Sequence, residues 1–307
     1  MLDFQLNRRR VLQLAAATAA AACCPSIATA RSSPLTKPIP NSGEPLPVVG
    51  MGTWITFNVG TDPAALAVRA DILRAFFAGG GGMIDSSPMY GSAEAVLGRV
   101  LPRLDDTDGL FAATKVWTGS GLAGPIEIAE SQQLWGVDRF DLLQVHNLLA
   151  WQEHLETLKT MKNDGELRYI GVTTSHGRRH RELEQIMRDE PLDFVQLTYN
   201  IADREAEQRL LPLARERGIA VIANRPFRRK ELIHIAERHP LPGWANEIGC
   251  QTWAQALLKF IVSHPAVTCA IPATSQVEHM RENMAAAAEP LPDEVLRQRM
   301  AADFAAL

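Results

Sequence analysis

The chain has 307 residues, 46% of them hydrophobic, with 31 basic and 35 acidic side chains and a formal charge of −4. That length accommodates one α/β barrel of about 250 residues without a second domain, and the mildly acidic balance offers no electrostatic footprint for nucleic acid. The first stretch carries Arg8-Arg9-Arg10, an apolar run to Ala22 and the small-residue sequence Ala28-Thr29-Ala30. The run falls short of the roughly 20 apolar residues that span a bilayer. Residues 1–30 are therefore expected to be a cleaved signal peptide of the twin-arginine kind, leaving residues 31–307 as a periplasmic domain. The precursor's partner would be the twin-arginine export machinery, and Cys23, after Ala20-Ala21-Ala22, leaves lipid attachment open.

After a proline-rich entry, Pro34 to Pro47, strand-like and helix-like segments alternate eight times. Val48 to Thr53 reads as the first strand and Ala64 to Ala78 as a helix of 3.6-residue periodicity stopped by Gly79. The four glycines at 79–82 precede a strand instead of following one, so they read as a helix end and turn and not as a dinucleotide phosphate cradle. Met83 to Asp85, Phe111 to Lys115 and Leu142 to His146 are the next strands, with helices at Ile126 to Trp135 and Trp151 to Asp164. Tyr169 to Thr174, Phe194 to Leu197, Ala220 to Ala223 and Thr268 to Ala273 complete the strands. The later helices are Glu205 to Arg217, Trp253 to His264, Val277 to Ala288 and an additional Pro292 to Phe304. Short runs apolar on both faces are how buried parallel strands read. Eight strand–helix units in one modest domain favour closure into a (β/α)8 TIM barrel over an open sheet. Thr118 to Gly124 and Arg228 to Gly249 are the long links, and the triplet Arg228-Arg229-Lys230 reads as a solvated charge run or as a screen for a pyrophosphate.

Asp85, Lys115 and His146 each stand at a strand end, and Tyr90 follows Asp85 through the turn-like Ser86-Ser87-Pro88-Met89. Parallel strands would gather them at the C-terminal mouth of a barrel, where such barrels place their chemistry. An isolated tyrosine, with a pKa near 10, is a poor acid at neutral pH. A neighbouring ammonium is expected to lower that value, with Asp85 anchoring Lys115. Tyr90 is then a candidate proton donor and His146 the group that orients a carbonyl oxygen.

These segments together resemble the aldo-keto reductases. Asp85-Ser86-Ser87-Pro88-Met89-Tyr90-Gly91 is similar to that family's D-x-x-x-x-Y-G signature. Ala113-Thr114-Lys115-Val116-Trp117 resembles its lysine strand, Leu142 to His146 its histidine strand and Gly52-Thr53-Trp54 its first strand end. The likeness runs from about Val48 to Asn283. It implies reduction of an aldehyde or ketone by NADP, or by NAD, without metal. It places the nicotinamide near Gly52, Thr53, Thr173, Thr174 and Gln196, with Asn224, Arg225, Pro226 and Phe227 beyond it. Asn224 replaces the aromatic ring that many members stack on the nicotinamide, and Arg225 replaces a small residue, so Arg225 is read as reaching a phosphate. Thr274, His279, Glu282 and Asn283 resemble the adenosine-phosphate segment, near a helix start that favours an anion. Trp54, Trp117 and Asn147 are expected to wall the substrate pocket, whereas Trp151 reads as packing.

The alternative is a nucleotide-sensing or partner-binding module on the same fold, which the export signal favours because reduced nicotinamide is not expected to be regenerated freely outside the cytoplasm. Cys250 and Cys269 lie near apolar runs where a buried thiol is the commoner outcome, although an oxidising compartment would permit pairing.

Overall fold

The computed structural model describes residues 34–307; the expected signal peptide, Cys23 included, lies outside the described residues. Among these the main sheet has eight strands. In chain order they are β3 (Met51–Gly52), β4 (Met83–Asp85), β5 (Phe111–Val116), β6 (Leu142–Val145), β7 (Tyr169–Thr173), β8 (Phe194–Thr198), β9 (Ala220–Asn224) and β10 (Cys269–Ala270). Each pairs in parallel with its sequence neighbour. A parallel bridge between Val49 and Ala270 joins the first strand to the last and closes the barrel. The single domain is thus the expected (β/α)8 barrel.

The strand residues are buried throughout, which is why these runs read as continuously apolar. At the seam both strands are shorter than expected, two residues each in place of Val48 to Thr53 and Thr268 to Ala273. Glycines let the chains approach there: a Cβ on Gly52 would stand 3.0 Å from the Ile271 carbonyl oxygen.

The outer helices start where side-chain caps permit. Asp62 accepts from the Ala65 amide at 2.8 Å to open Pro63–Ala78, and Thr252 accepts from Gln255 to open Trp253–Val262. One expected helix is divided. Glu205–Glu207 forms a single 3-10 turn and the α-helix runs only over Leu210–Arg217. A continuous helix would need an amide hydrogen at Pro212 for the Gln208 carbonyl, and proline has none. The link from Arg228 to Gly249 contains two short helices, Glu231–Ala236 and Trp244–Glu247.

The proline-rich entry is an antiparallel hairpin, β1 (Thr36–Pro38) with β2 (Pro45–Pro47). Its Ile39 and Leu46 pack with Met83, Phe111, Leu142, Tyr169, Phe194 and Ile222 in one buried cluster. Most of these are first residues of barrel strands, so the hairpin plugs the N-terminal end of the barrel. The opposite mouth is left for the site. Helix Glu294–Ala305 docks through Arg297, which donates to the Phe260 carbonyl, to Ser263 Oγ at 2.8 Å and to Tyr199 Oη at 2.6 Å. Cys250 and Cys269 are buried and unpaired, their thiols pushed up to about 11 and about 12 by burial.

Candidate active site

Asp85 is the last residue of β4, and its carboxylate receives three side-chain donors. Lys115 Nζ lies 2.6 Å from Oδ2, while Gln144 Nε2 and Gln196 Nε2 donate to Oδ1 at 3.1 and 2.9 Å. Lys115 also donates to the Ser86 carbonyl at 2.7 Å. Both members of the ion pair are within 2% of complete burial. Burial, the largest single influence, would pull the lysine down, but the Asp85 carboxylate and the Tyr90 phenol beside it together outweigh that and hold its pKa above the ordinary value. The ammonium is therefore fixed.

The Tyr90 turn begins at Ser87, whose Oγ accepts from the Met89 amide, with Pro88 at the first position of the 3-10 turn Pro88–Tyr90. This brings the Tyr90 ring to 5.1 Å from Lys115 Nζ, measured to the ring centre. The expected acidification of the phenol is not what results. Burial raises the Tyr90 pKa, and the lowering by Lys115, itself opposed by Asp85, does not overcome it. The phenol is a firmly protonated donor, with Lys115 restraining a rise instead of producing a fall.

His146 follows β6 directly and is 5% exposed. Burial, and then the charge on Lys115, push its imidazole down to about 2, so the ring is neutral. Its Nδ1 lies 2.8 Å from Ser87 Oγ, and its plane stands edge-on to the Tyr90 ring with centres 5.7 Å apart.

A cavity of about 360 Å³ opens at this mouth, lined by Asp85, Tyr90 and His146 together with Gly52, Thr53, Trp54, Asn147, Thr173, Thr174, Gln196, Asn224, Arg225, Pro226 and Phe227. Lys115 lies behind this lining. Several of these side chains already have partners. Thr53 Oγ1 donates to the Asp85 carbonyl and can accept from Ser86 Oγ, and Thr173 Oγ1 accepts from the Asn147 amide. Gln196, expected to hold a carboxamide, instead gives its amino group to Asp85 and its oxygen to Asn224 Nδ2 at 3.3 Å. Asn224 also bonds Thr198 and the Thr174 carbonyl, completing an amide relay along the cavity wall. Two polar atoms on the lining residues are buried without a partner among the described residues: Thr174 Oγ1 and Arg225 Nη1.

Other expected site residues stand outside this lining. Trp117 is 42% exposed on the rim, its ring centre 6.4 Å from that of His146. Thr274 turns back on the Gln276 carbonyl and amide, and His279, Glu282 and Asn283 belong to helix Val277–Ala285, with only Asn283 buried. The cavity as it stands does not reach them. Trp151 donates its indole N–H to Glu182, as packing. The basic triplet divides: Arg228 pairs with Asp203, whereas Arg229 and Lys230 line the cavity and the Arg229 guanidinium lies 5.2 Å over the Trp54 ring.

Gln144 and Ser87 are functional neighbours that the sequence reading passed over. For Gln144 a signal was present, since an amide inside an otherwise apolar buried strand must find a polar partner. Ser87 sat unremarked inside the Asp85–Tyr90 turn.

The model of the aldo/keto reductase family matches residues 48–232 and 234–303. The chain is 28% identical over 249 residues to a methylglyoxal reductase, YeaE, of Escherichia coli K12, an alignment covering 78% of this chain and 85% of that protein. It is 28% identical over 235 residues to an NADH-specific methylglyoxal reductase of the same organism, covering 64% and 69%. An aldo-keto reductase from Klebsiella pneumoniae, solved in complex with NADPH, superposes with a TM-score of 0.72 at 26% identity, covering 87% of this chain and 94% of that one.

Proposed function

Because the chain belongs to the aldo/keto reductase family, and its activity is NAD(P)H-dependent carbonyl reduction, we propose that this reduction runs through Tyr90, Lys115, Asp85 and His146 at the barrel mouth. The observation that carries the reading is the buried Lys115–Asp85 pair set beneath the Tyr90 ring beside a neutral histidine. The cavity's unpartnered polar atoms fit a nucleotide: Thr174 Oγ1 is free for an amide such as the nicotinamide carboxamide, and Arg225 Nη1 for a phosphate oxygen. Asn224, Pro226 and Phe227 would flank the nicotinamide, with Thr274, His279, Glu282 and Asn283 toward the adenosine end. Bound there, the reduced nicotinamide supplies hydride.

The protein's own groups do the rest. Tyr90 holds the proton destined for the carbonyl oxygen, and Lys115 stabilises the phenolate left behind. Asp85 keeps Lys115 charged and in place, and is itself clamped by Gln144 and Gln196. Neutral His146 donates to the carbonyl oxygen and orients it. Trp54 offers an apolar wall to the substrate, for which a small carbonyl compound of the kind named for the two Escherichia coli relatives is the first candidate. NADP is the favoured nucleotide and NAD the alternative; titration with NADPH and NADH separates them. The twin arginines of the leader support export to the periplasm, which fractionation of cells producing the full chain would test.

Tyr90→Phe is expected to lower kcat by about 100- to 10,000-fold while leaving nucleotide affinity nearly unchanged, by steady-state kinetics and a binding titration. An undiminished kcat would refute the assignment.

A further inference from the structure

We propose that Ser87 is a positioning residue that selects the tautomer of His146, holding Nδ1 bare and presenting Nε2–H to the cavity; the value of that choice to turnover rests on the role given to His146 above. Ser87 is completely buried, so water offers its hydroxyl no alternative. The hydroxyl has one proton to give and two lone pairs. Its oxygen accepts from the Met89 amide at 3.2 Å and lies 2.8 Å from His146 Nδ1, with no further partner among the described residues.

Two arrangements satisfy the short contact. In one, the hydroxyl donates to a bare Nδ1, and both buried donors are paired, amide to oxygen and hydroxyl to imidazole, while Nε2–H faces the cavity. In the other, Nδ1–H donates to the oxygen, which then accepts twice while its own proton points into a buried space without an acceptor. Orphaned buried donors are rare for energetic reasons. A protonated ring, which would donate from both nitrogens, is excluded at neutral pH by the same burial and by Lys115. The tautomer of a histidine is set by the bond its other nitrogen makes, and here that bond is to Ser87.

The same oxygen caps the 3-10 turn that carries Tyr90. One hydroxyl therefore aligns both groups assigned to the carbonyl oxygen: it fixes the donor end of His146 and the entry of the Tyr90 turn.

The test uses the full barrel enzyme with 15N-labelled histidine imidazole, the His146 signals being assigned by their loss in His146→Gln. The native spectrum is expected to show a protonated Nε2 and an unprotonated Nδ1; a protonated Nδ1 in the native protein overturns the proposal without recourse to any variant at Ser87. In Ser87→Ala the signals should move to a mixture of tautomers and kcat should fall roughly ten- to a hundredfold, with nucleotide affinity kept. Ser87→Thr, which retains the hydroxyl, should restore the native spectrum and most of the rate. A Ser87→Ala spectrum identical to the native one also overturns the proposal. A changed spectrum with unchanged turnover upholds tautomer selection and refutes instead the part given to His146 in the reaction.

Discussion

At the scale of single residues, Tyr90 and His146 are governed by desolvation more than by proximity of charge, whereas Lys115 is governed by its charged and polar neighbours. The Lys115 ammonium lies close enough to Tyr90 to favour its phenolate, yet the phenol's pKa is raised, because burial and the Asp85 carboxylate act the other way. This has a kinetic signature. The acid form of Tyr90 is the one needed for reduction, and a raised pKa keeps that form present above the ordinary value near 10. The His146 imidazole, pushed down to about 2, contributes no transition near neutrality. Reductive kcat is thus expected to stay level from about pH 6 to 9 and to fall only on an alkaline limb beyond the usual phenol range. A stopped-flow or steady-state profile with saturating substrate checks it. An inflection near pH 6.5 to 7 would show that a charge-changing histidine, and not the phenol, limits the rate.

At the scale of elements, the barrel was legible because its strands are short, apolar on both faces and regularly spaced, and because Asp85, Lys115 and His146 interrupt that pattern at strand ends. What stayed hidden depends on partners distant in sequence. Gln196 looked like a ligand for a bound amide because nothing local reveals that Asp85 and Asn224 engage both ends of its side chain. The division of Glu205 to Arg217 was readable from Pro212, but periodicity alone smoothed over it. The entry hairpin was obscured by its own prolines: Pro38, Pro45 and Pro47 cannot donate to a ladder, and such residues argue against a strand unless it is an edge. Lys37 ties the hairpin to the barrel, its Nζ donating to the carbonyls of Val262, His264 and Val267 at 2.7, 2.8 and 2.6 Å. Lys37→Met leaves these acceptors without their donor, and is expected to lower unfolding stability by about 2–3 kcal/mol. Urea unfolding should show a lower midpoint at unchanged slope. Because the hairpin closes the end opposite the cavity, kcat should not change.

At the scale of the whole molecule, the burial that keeps His146 neutral ties barrel stability to pH. In the unfolded chain this histidine takes a proton near pH 6.5; in the barrel it resists until about 2. Between those values the unfolded state binds more protons, so stability rises with pH and is lost on acidification. For a side chain this deeply enclosed the slope approaches about 1.4 kcal/mol per pH unit, or roughly 2 kcal/mol between pH 6.5 and 5, against a total of about 5–15 kcal/mol for a typical domain. His264, lowered to about 4 by burial and then by the charge of Arg297, acts in the same direction beside the entry hairpin. Unfolding free energy measured in urea should therefore decline steeply from pH 6.5 to 5 in the native protein and less steeply in His146→Gln, which has no proton to take up. Parallel curves for the two proteins would mean that the imidazole is charged in the folded state, and a charged ring could not leave Nδ1 bare for Ser87.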